Sequence, residues 1–303
     1  MPKINMNSKK LAFLLAFSAA VIYGLSFTIA KEVMPLYVKP FGFILLRIIG
    51  ATILFWLVGF FIKKEKIIFS DYLRIFLASI FGMALNMLTF FKGLSMTTPI
   101  SASVIMVTTP IIVLTFSAFI LREKATKRKL SGIFIGLFGA IILIVYGNEI
   151  GMSSNAVLGN ILIFINATSY ALYLIIIKNL TQKYHPLTLA KWLYLFGFFL
   201  VLPFGIREFN EINWIEIPVT GLVRIAYIVI FTTFFAYMFN LFAIKKLKPT
   251  TLSIFMYLQP VLATMYALIV GSDKLNGIKI LATLLIFVGV YLVSYKGVKT
   301  TER

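Results

Sequence analysis

The chain has 303 residues, of which 60% are hydrophobic and 13% are charged, and its mean hydropathy is +0.98. Because soluble domains carry about 25% charged residues, this composition excludes an ordinary soluble protein. The formal net charge is +19, and the sequence contains no cysteine. The lack of cysteine excludes a disulfide framework, a thiol nucleophile and a cysteine-ligated metal site.

Ten apolar runs have roughly the 17–25 residues with which a helix crosses a bilayer. The basic residues before the first run resemble the start of a signal peptide. We expect an uncleaved first span instead, because the run is long and no convincing cleavage site follows it. The predicted spans are Leu11–Ala30, Phe41–Ile62, Ile75–Phe91, Pro99–Leu121, Leu130–Tyr146, Ala156–Ile177, Leu187–Gly205, Ile217–Ile244, Pro249–Val270 and Ile280–Tyr295.

The distribution of basic residues predicts the orientation of the chain. Lys and Arg number 20 on the side of the N-terminus and 6 on the other side, and Arg47, Lys191 and Arg224 within spans complete the 29. Cytoplasmic loops are enriched in Lys and Arg, so we expect both termini in the cytoplasm. This topology accounts for the positive charge, and we expect the lipid bilayer as a partner and no nucleic acid.

The sequence repeats itself with a period of about 150 residues, which predicts two five-helix halves, 1–150 and 151–303. The stretch PISASVIMVTTP, from Pro99, matches PTTLSIFMYLQP, from Pro249, without a gap. Earlier in each half the offset is 147 and pairs Tyr23 with Tyr170 and Lys31 with Lys178. Because five spans is an odd number, the second half enters the membrane from the opposite face. Equivalent loops of the two halves do carry opposite charge bias. Inverted repeats of this kind are typical of secondary transporters.

These segments resemble the EamA family of the drug/metabolite transporter superfamily over about 11–295. The resemblance rests on Tyr23-Gly24, Lys31, Arg47, the run from Asn86 to Pro110, Arg122-Glu123, the glycine-rich fifth span and the run from Asn240 to Pro260. It implies a basket of ten helices around a central cavity and the export of small metabolites, often amino acids. The sequence departs from the family where Asp273 replaces the usual glutamate and Ala282 stands at the position of Gly132.

Two arginines within spans, Arg47 and Arg224, are candidates for binding a substrate carboxylate. A charge within a span costs about 2.5–3.5 kcal/mol on insertion scales and usually faces a cavity or a partner. The alternative is that both side chains extend to the membrane interface.

A set of uncharged polar residues within spans suits a zwitterionic or neutral substrate, although such groups often only bridge helices. Tyr23, Tyr170, Asn86 and Asn240 are preferred because they lie in or beside the repeated segments. The predicted cavity residues are, with the two arginines, Tyr23, Ser26, Asn86, Ser103, Tyr170, Tyr173, Tyr237, Asn240, Tyr257 and Gln259; Asn166 belongs to the same polar set.

Pro110 and Pro260 fall within the fourth and ninth spans, where proline removes a helix hydrogen bond and breaks or kinks the helix. Nearby hydroxyl groups could satisfy the freed backbone groups, which lipid cannot do. Interrupted helices at equivalent positions of two halves indicate a transporter's binding site, so both prolines are predicted hinges. Gly132, Gly136 and Ala140 form a small-residue ridge typical of close helix packing.

No catalytic residue, metal site or cofactor is predicted. The single histidine, His185, lies in a loop. Glu123 and Asp273 are equivalent residues at helix junctions, where a helix cap or loop ion pair and a role in coupling both remain open.

The sequence therefore predicts an all-α membrane exporter that moves a small-molecule substrate by alternating access, in the plasma membrane of a bacterial cell. Amino acids or related zwitterionic or neutral compounds are the expected substrates. A nucleotide-sugar or triose-phosphate carrier of the same superfamily remains an alternative, as does a polytopic membrane enzyme. The sequence does not decide between a monomer and a homodimer.

Overall fold

The computed structural model describes residues 9–121, 127–146 and 155–294. Within these residues all elements of secondary structure are helices, which confirms the predicted all-α fold class. The helices are α1 (Lys9–Val33), α2 (Pro40–Gly59), α3 (Phe69–Met96), α4 (Pro99–Met106 and Thr109–Leu121), α5 (Lys127–Tyr146), α6 (Asn155–Lys183), α7 (Pro186–Asn210), α8 (Val219–Lys246), α9 (Pro249–Ile254, a 3-10 turn Phe255–Tyr257, and Leu258–Val270) and α10 (Gly277–Ser294).

Eight of these helices are long and apolar enough to cross a membrane, and α5 and α10 contain shorter apolar stretches, Ser131–Leu143 and Gly277–Gly289. The described linkers define two faces of the bundle. The basic face carries linkers 60–68, 184–185 and 247–248, and the neutral face carries linkers 34–39, 97–98, 211–218 and 271–276.

Helix α3 begins at Phe69, before the predicted start at Ile75. The first turns of this helix contain charged residues, Asp71 and Arg74, which are paired at the basic face. The buried Asp71 carboxylate accepts hydrogen bonds from Lys183 Nζ (3.0 Å) and Tyr184 Oη (2.9 Å). Because its charge is paired and hydrogen-bonded, Asp71 can remain in the first turn of a helix that continues into the membrane.

Helices α2 and α7 pack antiparallel, and a carboxylate caps the N-terminus of each. The carboxylate that caps α2 lies on α7, and the one that caps α7 lies in the linker after α2. Glu208 Oε2, on α7, accepts from the backbone N–H groups of Phe41 (2.6 Å) and Gly42 (3.0 Å). At the basic face, Glu65 Oε2 accepts from the backbone N–H of His185 (2.8 Å). Carboxylates at these positions satisfy the free N–H groups of a helix start, so they hold the two halves together at both faces.

Helices α5 and α10 pack through small residues, as the predicted ridge on α5 requires. A Cβ atom on Gly289 would lie 2.5 Å from the Gly136 nitrogen and 2.6 Å from the Gly132 carbonyl oxygen. In the equivalent contact, a Cβ atom on Gly139 would lie 3.0 Å from the carbonyl oxygen of the fully buried Ala282. The alanine that replaces glycine in the second repeat therefore does not separate the helices.

Four helices are interrupted near their centres, at matching places in the two repeats. Helix α4 breaks at Val107 and Thr108, just before Pro110, and α9 tightens into its 3-10 turn just before the segment that holds Pro260. Helices α3 and α8 contain π-helical segments, Ile80–Ala84 and Ile228–Ala236. Segments of this type are common at functional sites because they displace side chains from the regular helical register.

Candidate substrate-binding cavity

A cavity of about 110 Å³ lies between the two repeats, at the level of the four interruptions. Its wall takes residues from α1 to α4 and from α6 to α9, whereas α5 and α10 contribute none of the described lining residues. The four interrupted helices therefore all reach the cavity. The polar residues of its wall are Tyr23, Ser26, Arg47, Asn86, Asn166, Tyr170, Tyr194, Thr232, Thr233, Tyr237, Asn240, Ser253 and Gln259.

Eight of the twelve predicted cavity residues lie on this wall, and their role in binding stays a prediction. They come from six helices that are far apart in the sequence. These residues are Tyr23, Ser26, Arg47, Asn86, Tyr170, Tyr237, Asn240 and Gln259.

Arg47 is the charged residue of the wall. Its side chain is 3% exposed, Nε donates to Thr233 Oγ1 (2.9 Å), and the guanidinium carbon lies 4.1 Å from the centre of the Phe91 ring. The aromatic face and the hydroxyl group offset part of the cost of burying the charge. Nη1 is buried and has no hydrogen-bond partner, so the guanidinium retains a free donor at the cavity.

Arg224 does not reach the cavity. Its Nε forms an ion pair with Glu32 Oε2 at 2.9 Å near the neutral face, and its side chain is 36% exposed. The prediction grouped the two arginines because each lies a similar number of residues from the start of its predicted span. In the structure, Arg224 has a carboxylate partner on α1, so its charge is already matched.

Three other predicted cavity residues pack elsewhere. Ser103 Oγ donates to the Ile100 carbonyl oxygen (2.9 Å) within α4, as expected for a hydroxyl group beside a helix interruption. Tyr173 lies behind the wall, because its ring covers the Cα of Gly82. The Tyr257 ring packs against Phe287 on α10, with 6.1 Å between ring centres.

Asparagine side chains make two hydrogen bonds at the cavity wall, and the first of them joins the two halves. Asn166 Nδ2 donates to the Asn86 carbonyl oxygen (2.8 Å), which links α6 to α3. Asn240 Nδ2 donates to Tyr170 Oη (3.2 Å), which links α8 to α6. Tyr170 and its repeat equivalent Tyr23 both lie on the wall. This arrangement provides uncharged donors and acceptors around the single guanidinium.

The model of the EamA-like transporter family matches the chain twice, over residues 10–145 and 157–295. The chain belongs to the EamA-like transporter family. An uncharacterized transporter of Archaeoglobus fulgidus is 23% identical over 96% of this chain and 99% of its own length. The uncharacterized transporter YetK of Bacillus subtilis is 25% identical over 94% of this chain and 87% of its own length. This EamA-like chain is thus a membrane transporter.

One solved crystal structure has the same fold as this EamA-like transporter. The TM-score is 0.67 at 18% sequence identity, and the match covers 95% of this chain and 97% of that chain. A likeness at this identity establishes the fold alone.

Sequence reasoning missed four polar cavity residues of this EamA-like transporter and left Asn166 out of its final set. Thr232 and Thr233 lie in the π-helical segment of α8, where Thr232 Oγ1 is 2.6 Å from Ser26 Oγ. Tyr194 Oη donates to the Thr233 carbonyl oxygen (2.8 Å). The fourth residue, Ser253, is the repeat equivalent of Ser103. The available signal was the pair of adjacent threonines in an apolar span. In a regular helix, adjacent side chains point in different directions, so two adjacent hydroxyl groups would not both be expected to face lipid.

Asp273 of the EamA-like transporter caps a helix. Its Oδ2 accepts from the Ile100 N–H (3.1 Å) at the start of α4, and its Oδ1 accepts from Lys279 Nζ (2.8 Å). Of the two roles left open by the sequence, the structure supplies this one directly. The equivalent Glu123 lies outside the described residues.

Proposed function

We propose that this protein is a secondary transporter that exports a small metabolite by alternating access around the cavity. The observation that carries the proposal is the position of the cavity between two repeats whose third and fourth helices are all interrupted at its wall. Interrupted helices at equivalent positions allow each repeat to change shape around a central site.

A difference between the repeats supports the same mechanism. The N-terminal segment of α4 is buried throughout, including Pro99 and Ser101 at the neutral face. The equivalent Pro249 and Thr251, at the basic face, are partly exposed. Equivalent segments thus differ in packing, as expected for one of two arrangements that the repeats can exchange.

Amino acids or related zwitterionic or neutral compounds are the substrates that we propose from the polar wall. The plasma membrane of a prokaryotic cell is the proposed location, with the basic face in the cytoplasm. A nucleotide-sugar or triose-phosphate carrier is less well supported, because the described wall carries one arginine rather than the several cations that suit a phosphate dianion.

The test is substrate counterflow in proteoliposomes that contain the purified protein, with panels of amino acids, organic acids, nucleobases and cationic drugs. We expect counterflow of at least one small metabolite by the wild type. Ala20, which lines the cavity and is 3% exposed, provides a variant, Ala20→Phe, that should reduce the rate by filling the space.

The matched control is Leu36→Phe, which enlarges a 72% exposed side chain on a linker of the neutral face. Size-exclusion chromatography establishes that each variant is folded before transport is measured. Conversion of a substrate into a different product, or equal counterflow by both variants and the wild type, would contradict the proposal.

A further inference from the structure

The cavity wall carries one positive charge without a counter-ion. Of the ion pairs in the described chain, none includes Arg47, and the described lining residues include neither Asp nor Glu. Arg224, by contrast, has Glu32 at 2.9 Å. An arginine buried to 3% exposure normally has a carboxylate or several acceptors. No described residue supplies a carboxylate to Arg47, so a bound anion would complete its pairing.

A buried acceptor lies on the same wall. Asn166 is 2% exposed, and the hydrogen bond from its Nδ2 to the Asn86 carbonyl fixes the orientation of its amide. Its Oδ1 is buried and has no hydrogen-bond partner. A buried acceptor left unpaired is costly, so a donor group on a bound molecule would remove that cost.

The remainder of the wall is largely aromatic and aliphatic. Phe27, Phe90, Phe91 and Phe255 line it together with the rings of four tyrosines. The aliphatic part of the described wall comprises Ala16, Ala20, Met87, Met106, Leu174, Leu252 and Met256. Walls of this kind bury an apolar or aromatic body, while a few polar groups determine orientation and specificity.

We infer that the cavity selects a small monoanion, with a carboxylate that binds Arg47, an uncharged hydrogen-bond donor that binds Asn166, and an apolar or aromatic body. An aromatic 2-hydroxy acid has this chemistry. The inference rests on the proposed function, because it takes the cavity as the transport site. It replaces the zwitterionic or neutral substrates proposed from the polar wall alone with net anions.

The preference for an anion over a zwitterion follows from charge. A monoanion makes the occupied cavity neutral, whereas an amino acid leaves one uncompensated positive charge in a medium of low dielectric constant. The ammonium group of an amino acid would also lie near a guanidinium, with no described carboxylate on the wall to offset the repulsion.

The test uses four probes that share a phenyl ring: 3-phenyllactate, 3-phenylpropionate, phenylalanine and 2-phenylethylamine. Binding to the full-length protein in detergent is measured by isothermal titration calorimetry, and counterflow is measured in proteoliposomes. We expect 3-phenyllactate to bind at least about tenfold more tightly than phenylalanine, which corresponds to about 1.4 kcal/mol. Loss of the hydroxyl group in 3-phenylpropionate should weaken binding severalfold, and the amine should not bind.

Three variants identify the source of the preference. Arg47→Gln should weaken the binding of 3-phenyllactate at least about tenfold and remove the preference for the anion. Arg47→Lys retains the charge and should keep the preference, which guards against a fold defect in the glutamine variant. Arg224→Gln removes an arginine outside the cavity and should leave all four affinities unchanged.

Tighter binding of phenylalanine than of 3-phenyllactate, unchanged 3-phenyllactate binding by Arg47→Gln, or binding of none of the probes would overturn the inference. Counterflow of phenylalanine without binding of the anions would do so while leaving the proposed transport function intact. Tight binding of 3-phenyllactate without counterflow of any compound would instead support anion selectivity and contradict transport.

Discussion

Lys31 and Lys178 occupy equivalent positions in the two repeats, and each caps the C-terminal end of the third helix of its own repeat. Lys31 Nζ donates to the carbonyl oxygen of Leu94 (2.9 Å) at the neutral face. Lys178 Nζ donates to that of Ile244 (2.7 Å) at the basic face. The last carbonyl groups of a helix have no partner within it, and a cation satisfies both their hydrogen bonds and the negative end of the helix dipole.

We expect Lys31→Met and Lys178→Met to destabilise the protein by similar amounts. Each variant leaves carbonyl groups at a buried helix end without a donor, which costs about 1–3 kcal/mol. The midpoint of thermal unfolding in detergent measures the effect. Lys66→Met, at an exposed lysine of the basic face, is the control and should leave the midpoint unchanged. Equal midpoints for all three variants would mean that the caps do not contribute to stability.

Pro110→Ala and Pro260→Ala test the predicted hinges. Alanine supplies the N–H group that proline lacks, which favours a continuous helix through the interruption. We expect the rate of counterflow to fall about tenfold with little change in substrate affinity, since a slower conformational step limits turnover without altering the site. Pro40→Ala, at the first position of α2, should have no effect. Wild-type rates in both hinge variants would show that the prolines do not act as hinges.

Gly289→Ala should destabilise the contact between α5 and α10. The added Cβ atom would lie 2.5 Å from the Gly136 nitrogen, and a backbone atom cannot move aside as a side chain can. Overpacking of this kind costs about 1–3 kcal/mol. Gly277→Ala is the matched control, because a Cβ atom there would meet nothing within 4 Å. The two variants are compared by thermal unfolding, and a midpoint no lower for the first than for the second would refute the close approach.

Acidification should weaken the start of α7. His185 Nδ1 accepts from the Leu187 N–H (3.3 Å), and only the neutral imidazole can do so. Burial, with a smaller effect of the Lys245 charge, lowers the pKa of His185 from 6.5. The stabilisation is therefore fully present above pH 6.5 and is lost as the pH falls through the lower pKa of the folded state.

The loss should be about 1 kcal/mol, the usual contribution of a helix cap. It is measured as the difference in unfolding midpoint between pH 8 and pH 5. His185→Asn retains a cap that does not titrate and should show a smaller difference. A difference as large as that of the wild type would assign the pH dependence to another group.

The sequence predicts those parts of the fold that depend on local pattern. Apolar length identifies the ten helices of the described residues, Pro110 locates the break in α4, and the repeat pairs Tyr23 with Tyr170 on the cavity wall. The position of Arg224 off the described cavity wall could not be predicted, because its partner Glu32 comes from another helix and such a pairing depends on packing. The π-helical segments were also missed, since an apolar run has the same composition whether its hydrogen bonds are regular or shifted by one residue.

The unequal burial of α4 and α9 has a consequence for a second conformer. Each repeat serves as a template for the other, so exchanging the backbone conformations of their described residues generates an alternative arrangement. In that arrangement Pro249 and Thr251 would be buried, and Pro99 and Ser101 would be partly exposed. Spin labels on the N-terminal segments of α4 and α9 should then give two distributions of the distance between the labels in one lipid sample. Both distances follow from the present arrangement and from its exchanged form.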